Sequence, residues 1–272
     1  MGVIPISDWQ LALAAGLILL AGTISVLMKV GLLKNLLWGG LRVFVQLFVM
    51  GYALKYIFLW DNPWVNLGLL VFMAGFATWM AFRRVKTAPE RHYGLTFLSI
   101  SSASFLVSAI VCGLLIQGKP FYTARVVIPI TGMIIGNSLT AVSLALDRLY
   151  GEVRSNAGKI EMLLALGATR WEAAREAVRE ALRAGMTPII NSMMVVGLVF
   201  LPGMMVGQLL AGADPTTAIR YQIVVMLMIA AATALSSLLL VGLTYRRLFT
   251  TDDALKPVFR ESQLSPKNSK QR

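Results

Sequence analysis

The chain has 272 residues, of which 57% are hydrophobic and 14% charged, with one cysteine and one histidine. A soluble domain is usually about half apolar and about a quarter charged, so this composition indicates a membrane protein. The formal net charge of +12 is spread over short basic groups between apolar runs, which is not the pattern of a nucleic-acid-binding surface. A DNA-binding protein, a disulfide-stapled domain and a His/Cys zinc site are therefore excluded, and we expect no nucleic-acid partner.

Long apolar stretches predict how the chain crosses the bilayer. A hydrocarbon core of about 30 Å requires about twenty apolar residues in a helix. Seven stretches reach or nearly reach that length, so we predict an all-α polytopic membrane protein with about seven transmembrane helices. The first stretch lacks a basic segment before it and a small-residue cleavage site after it, so we interpret it as a retained helix. The predicted spans are 8–28, 36–58, 64–82, 94–117, 123–147, 186–210 and 219–243.

The basic residues predict the orientation of these spans. With the N-terminus outside, twenty Lys and Arg residues fall in the inner loops and the tail, and four fall on the other side. This positive-inside bias predicts an outer N-terminus and an inner C-terminus. We interpret residues 1–249 as one transmembrane domain with an inner amphipathic segment at 148–185, and residues 250–272 as a polar cytoplasmic tail.

Motifs for nucleotide binding and catalysis are absent from the sequence. It contains no GxxxxGK[ST], GxSxG, HExxH or CxxC, so we expect that this chain is not an enzyme and does not bind ATP through a P-loop. Proton- or sodium-driven carriers usually keep a carboxylate or histidine at mid-membrane, and none is available here. A stand-alone secondary carrier or channel stays open as an alternative, because broken helices also bind ions through backbone carbonyls. We expect no cofactor.

The inner segment 148–185 joins the fifth and sixth predicted spans. Its acidic and basic residues lie three or four apart, as on a water-exposed helix. A short helix is predicted from about Lys159 to Gly167, where glycine adopts left-handed dihedrals without penalty, and a second helix continues toward the sixth span. The short helix has an apolar side that suits either a groove on a soluble partner or the lipid headgroups. The residues of this side are Ile160, Leu163, Leu164 and Leu166.

The spacing within this segment resembles the EAA loop of ATP-binding-cassette (ABC) transporter permeases. Glu161, Gly167 and Val178 match that pattern, whereas the two alanines that usually follow the glutamate are replaced and the closing Leu-Pro is absent. In that family the loop is a coupling helix that docks into a cleft of a separate ATPase. The residues to which the resemblance assigns this coupling role are Glu161, Leu163, Leu164, Gly167 and Arg170.

Three further stretches resemble the FetB family of iron-export permeases. They are ARVVIPITGMIIGNSLTAVSLALDRL at 124–149, LRVFVQL at 41–47 followed by Gly51 and Tyr52, and LPGMM at 201–205. The resemblance covers nearly the whole chain. It implies a multi-pass permease of the cell inner membrane that works with an ATP-binding subunit to export iron and to protect against metal and oxidative stress.

The same resemblance bears on the substrate and on the assembly. Plant relatives of this family are linked to aluminium tolerance and nucleotide-sugar transport, so another metal or a nucleotide sugar is the alternative substrate. Because ABC systems close two nucleotides between two ATPase domains, we expect a homodimer of the permease. A membrane scaffold that transports nothing is the third class of function that the sequence leaves open.

Two groups of residues are candidates for a translocation path. Arg42 and Gln46 are four apart and lie on one face of the second span. An arginine at depth costs about 2.5–3.5 kcal/mol, so Arg42 lines a path, clamps a neighbouring helix or reaches the interface. In the fifth span a proline removes one backbone donor, and the small and polar residues after it suit either a polar mid-membrane site or a tight helix crossing. These residues are Pro129, Gly132, Gly136, Asn137 and Ser138.

The sequence contains 14 methionines. Thioethers prefer soft ions such as Cu(I), whereas ferrous iron prefers nitrogen and oxygen ligands. We therefore interpret most of the methionines as packing or lipid-facing residues, including Met193, Met194, Met204 and Met205. The sequence defines no metal site.

Overall fold

The computed structural model describes residues 7–85, 92–115 and 123–259. These residues form helices and connecting loops, which confirms the predicted all-α class. A π-helical turn at Val111–Leu115 extends α4, and a 3-10 turn at Arg246–Leu248 follows α9. The helices are α1 Asp8–Leu27, α2 Leu33–Trp60, α3 Pro63–Arg84, α4 Tyr93–Ile110, α5 Ala124–Ser155, α6 Ala157–Ala165, α7 Arg170–Val195, α8 Gly203–Leu210 and α9 Pro215–Tyr245.

Six helices of the described residues are long and apolar enough to cross a membrane, namely α1 to α5 and α9. The predicted span at 186–210 is not one helix. Its first part is the end of α7, its last part is α8, and residues 196–202 between them are not helical. Gly197 has a φ of +82°, and Leu201 precedes Pro202, which disfavours helical dihedrals at Leu201. An apolar run alone does not reveal such a break.

The central helix is α5, which packs against α3, α4, α7 and α9. Small residues allow α7 to approach it closely. A Cβ placed on Gly185 of α7 would lie 2.9 Å from the carbonyl oxygen of Ala141 and 3.1 Å from the Cβ of Ala145. At 32 residues α5 is about 48 Å long, longer than the bilayer core, so one end of it extends beyond the membrane and leads directly into α6.

Helices α1 and α2 form a peripheral hairpin. The structure describes all of α2, and none of its residues is buried. The hairpin contacts the rest of the molecule through ring and capping interactions: the Arg42 guanidinium carbon lies 5.7 Å from the Phe76 ring centre, and the Asp61 carboxylate accepts a hydrogen bond from Ala124. Most of the apolar surface of α2 therefore faces lipid or another protein.

The segment after α9 folds back onto the helices. Leu248, Leu255 and Phe259 are almost fully buried, and the Phe259 ring stacks on that of Tyr150 with 6.1 Å between centres. Two residues of the predicted polar tail, Leu255 and Phe259, are thus buried against the helices, whereas Thr251, Asp252 and Val258 are exposed. Residues 260–272 lie outside the described residues.

Candidate functional site

The short helix predicted in the inner segment is α6, which ends at Ala165 with Leu166 as its C-cap, and Gly167 follows the cap in the left-handed region. The Gly167 N–H donates to the Leu164 carbonyl, and the Ala168 N–H donates to the Leu163 carbonyl, each at 3.0 Å. This pair of bonds is a Schellman motif, which places its C′ residue in the left-handed region. Gly167 has a φ of +91°, a conformation that side chains other than glycine adopt with strain.

The next helix, α7, begins with a capping box. Thr169 is the N-cap: the Glu172 N–H donates to its Oγ1 at 3.3 Å, and Glu172 Oε2 accepts from the Thr169 N–H at 2.8 Å. The hydrogen bonds from the Thr169 backbone and hydroxyl lower the pKa of the Glu172 carboxyl below its usual value. Two residues, Gly167 and Ala168, therefore separate two well-defined helix ends, and we call residues 157–183 the α6–α7 hairpin.

Charged contacts hold the α6–α7 hairpin in place. Lys159 Nζ donates to Glu176 Oε2 at 2.5 Å, which joins α6 to α7. This hydrogen bond, together with the Lys159 charge, lowers the pKa of Glu176. On the other side, the Arg170 guanidinium pairs with Asp253 and donates from Nη2 to the Thr251 carbonyl at 3.1 Å. The hairpin is thus bound to the segment that follows α9.

The apolar residues of α6 divide into two faces. Ile160 is 3% exposed, and Leu163 and Leu164 pack against the same core. Met162 and Leu166 are 56% and 77% exposed. Of the predicted partner-facing side, Ile160 is buried in the bundle, Leu163 and Leu164 are half-buried against it, and Leu166 is exposed together with Met162.

The other two predicted coupling residues lie on the same hairpin. Glu161 is partly exposed in the middle of α6. Arg170 is the first residue of α7. Its guanidinium forms an ion pair with Asp253 and donates a hydrogen bond to the Thr251 carbonyl, so in this structure it positions the hairpin. Val178, which completes the spacing pattern, is 4% exposed and belongs to the core between α5 and α7.

Arg42 and Gln46 lie on α2, at a distance from the α5 candidates. The Arg42 guanidinium carbon lies 5.7 Å from the ring centre of Phe76, so Arg42 contacts the neighbouring helix α3 through an aromatic ring. Gln46 is exposed on the outer surface of α2. Among the described residues no hydrogen bond or ring contact joins either of them to the α5 group.

Pro129 lines a crevice of about 270 Å³ between α5, α8 and α9. Arg125 and Met133 lie on the same stretch of α5 and line it with Met204 and Gln208 of α8. This crevice lies toward the start of α5, the end of the helix farther from the α6–α7 hairpin.

The remaining α5 candidates point in different directions. A Cβ on Gly132 would lie 3.0 Å from Met73 of α3, whereas one on Gly136 has no described atom within 4 Å. Asn137 is exposed and donates to the Met133 carbonyl at 2.8 Å. Ser138 is fully buried, and its Oγ has no hydrogen-bond partner among the described residues. A single polar site containing all five residues is not formed in this structure.

Asn137 does line a small polar cavity of about 80 Å³. Thr140 of α5, Ser192 of α7 and Thr233 of α9 line it as well, beside Gly185. Sequence analysis missed Ser192 and Thr233, because nothing in the chain order indicates that these three helices meet there. The described residues contain no group of three or more His, Cys, Asp or Glu side chains able to hold a metal ion.

The fold defines a polytopic helical membrane protein. The model of the Uncharacterised protein family (UPF0014) matches residues 8–249. The chain belongs to this family.

Relatives match along most of the chain. It is 38% identical over 221 residues to the UPF0014 membrane protein slr1647 of Synechocystis, covering 81% of this chain and 85% of the relative. It is 37% identical over 246 residues to the Probable iron export permease protein FetB of Escherichia coli, covering 90% and 93%. It is 34% identical over 242 residues to the Protein ALUMINUM SENSITIVE 3 of Arabidopsis thaliana, covering 88% and 86%. No solved structure matches the chain significantly.

Proposed function

We propose that this chain is the membrane subunit of an ABC exporter and that it docks a separate ATPase through the α6–α7 hairpin. The observation that carries the proposal is the exposure of Met162 and Leu166, at 56% and 77%, on a hairpin fixed by its caps and by Arg170. A short helix with exposed apolar anchors suits insertion into a groove of a partner. ATP hydrolysis is assigned to that partner, because this sequence has no P-loop.

The proposed substrate is iron, moved from the cytoplasm across the cell inner membrane. This part of the proposal is supported by the Escherichia coli relative, which is named as a probable iron export permease and aligns with 90% of this chain. Another metal or a nucleotide sugar is the alternative substrate. The N-terminus is placed outside and the hairpin inside by the positive-inside bias, since Arg148, Arg175 and Arg179 lie at the hairpin end.

A homodimer through α2 fits the surface of this helix. Gln46 is exposed midway along a helix of 28 residues, and the exposed side chains around it are apolar, namely Val43, Val45, Leu47 and Val49. A polar amide facing lipid is unfavourable, so a protein or aqueous contact at this position stabilises it. In a symmetric dimer the two α2 helices then flank a path to which each copy supplies Gln46.

The connection between hairpin and membrane suggests how the ATPase drives transport. Only Asn156 separates α5 from α6, and α7 runs without interruption from the hairpin to Val195. Because α5 and α7 connect directly to the hairpin, a movement of the hairpin moves both helices as rigid bodies. We propose that ATP-driven closure of the ATPase pair tilts α5 and α7 against α2 and switches access between the two sides of the membrane.

The first test is co-purification of the full chain with an ABC ATPase subunit expressed from the same genome, followed by an ATPase assay with and without ferrous iron. The double variant Met162→Glu/Leu166→Glu is expected to lose the complex. Val258→Glu is the matched control, because Val258 is an exposed apolar residue outside the hairpin.

The possible results of this test distinguish between the ABC assembly, its substrate and a stand-alone carrier. A complex that needs Met162 and Leu166 and whose hydrolysis rises with iron supports both the assembly and the substrate. If a complex forms but its ATP hydrolysis does not change with iron, the proposed assembly is supported and iron is rejected as the substrate. Transport by the chain alone, without any ATPase, overturns the proposal in favour of a stand-alone carrier or channel.

A further inference from the structure

A second crevice, of about 350 Å³, lies beside the break between α7 and α8, and no step proposed above uses it. We call it the methionine crevice, because one methionine comes from each helix around it. These are Met193 of α7, Met205 of α8 and Met226 of α9. The non-helical residues Val196, Gly197, Leu201 and Pro202 line its remaining side.

One polar side chain also lines the methionine crevice. Gln222 lies one helical turn before Met226 on α9, so both side chains are on one face of that helix. Gln222 is 7% exposed, and its Oε1 has no hydrogen-bond partner among the described residues. Buried amide oxygens are nearly always paired, so an unpaired oxygen on a side chain that lines a crevice is an acceptor left for a ligand.

The donor set decides which ligand fits. None of the residues that line the crevice is charged, and its donors are three thioethers and one amide oxygen. Thioethers bind soft ions, whereas Fe²⁺ and other harder ions favour nitrogen and oxygen ligands. The cost of removing an ion from water also grows with the square of its charge, so a neutral site of this kind favours a monovalent ion.

We propose that the methionine crevice is a binding site for a soft monovalent metal ion of the Cu(I) class. Met193, Met205 and Met226 supply thioether sulfur, and Gln222 Oε1 supplies the fourth ligand. The flexible methionine side chain, with three rotatable bonds, adjusts to the ion without moving the helices. The site is independent of the ATPase contact and differs in chemistry from a site for ferrous iron.

The neighbouring crevice provides a matched comparison. It also contains three methionines, Met133, Met204 and Met228, together with Gln208, whose Oε1 likewise has no hydrogen-bond partner among the described residues. Arg125 lines it as well, and its positive charge disfavours a cation at close range. The two crevices therefore contain the same number of thioethers and differ in charge.

The test is an anaerobic titration of the purified full chain with Cu(I), using bicinchoninate as the competing chelator. We expect one Cu(I) per chain. Replacing Met193, Met205 and Met226 together by leucine is expected to weaken binding by about tenfold or more, because leucine keeps the volume and removes the sulfur. The control replaces Met133, Met204 and Met228 by leucine and is expected to leave the affinity unchanged.

Gln222→Leu provides a second variant, which removes the amide oxygen without touching a methionine and is also expected to weaken Cu(I) binding. Size-exclusion profiles check that each variant is folded. Three results would overturn the proposal. The chain could fail to bind Cu(I), the two triple methionine-to-leucine variants could lose the same amount of affinity, or Fe²⁺ could bind as tightly as Cu(I) with the same dependence on these residues. No ATPase is present in the titration. A negative titration therefore does not contradict the proposed ABC assembly, and a negative co-purification does not contradict the proposed metal site.

Discussion

Asp61, at the end of α2, caps the central helix α5. Its Oδ1 accepts a hydrogen bond from the backbone N–H of Ala124 at 2.7 Å, across 63 positions of sequence. The first N–H groups of a helix lack intrahelical partners and carry partial positive charge, so a carboxylate is favourable there. The Arg125 guanidinium also lies 6.0 Å from the Phe58 ring centre of α2. The peripheral hairpin is thus tied to α5 at the end farther from the α6–α7 hairpin.

Replacing Asp61 by alanine removes this cap. We expect the free energy of unfolding to fall by about 1 kcal/mol, with a range of about 0.5–2 kcal/mol, as for other N-cap losses. Asp61→Asn keeps an acceptor oxygen and tolerates the left-handed φ of +36° at this position, so it is expected to lose less. Thermal unfolding in detergent measures both variants, and equal losses would contradict a hydrogen-bonded cap.

Gly185 marks the close contact between α7 and α5, and Gly136 provides the matched control. Gly185→Ala is expected to lower the free energy of unfolding by about 1–3 kcal/mol, because the new methyl group meets the Ala141 carbonyl. Gly136→Ala has open space around it and is expected to be neutral or slightly stabilising, since alanine favours helix. Chemical or thermal unfolding of the two variants checks the difference, and the reverse order would refute the packing described here.

Gly167 determines the angle between α6 and α7. Gly167→Val is expected to leave membrane insertion intact and to uncouple transport from ATP hydrolysis, because a β-branched residue is strained at a φ of +91°. Gly167→Asn tolerates this conformation better and is expected to keep more coupling. The measurement is transport per ATP hydrolysed by the reconstituted complex. Unchanged coupling in the valine variant would count against a role of the hairpin.

The α6–α7 hairpin is expected to loosen in acid. The folded pKa values of Glu172 and Glu176 are lowered by Thr169 and Lys159. Their contribution is therefore fully present above the unfolded pKa of about 4.3 and is lost as the pH falls through the lower folded values. Amide hydrogen exchange, corrected for the intrinsic rate, is expected to show reduced protection at the start of α7 in this window. Glu172→Gln is expected to flatten the dependence, and protection independent of pH would contradict it.

The local elements of the candidate site followed from the sequence because local chemistry fixes them. Glycine at 167 predicted the end of the short helix, and the structure shows the expected left-handed residue there. The sequence did not predict which face of that helix is exposed. Leu163 and Leu166 are equally apolar, and only contacts with α5 and α7 decide that Leu163 is partly buried and Leu166 is exposed.

By itself, the sequence determined that this is a helical membrane protein of a recognisable permease family and that a short helix ends near Gly167, since composition, apolar run length and residue spacing are local properties of the chain. Tertiary structure decided the rest. It interrupted the predicted span between Val195 and Gly203, placed Arg42 on the Phe76 ring, and brought Met193, Met205, Met226 and Gln222 to one crevice. These relations depend on which helices pack together, and helices remote in sequence meet only when the whole bundle buries its small-residue faces.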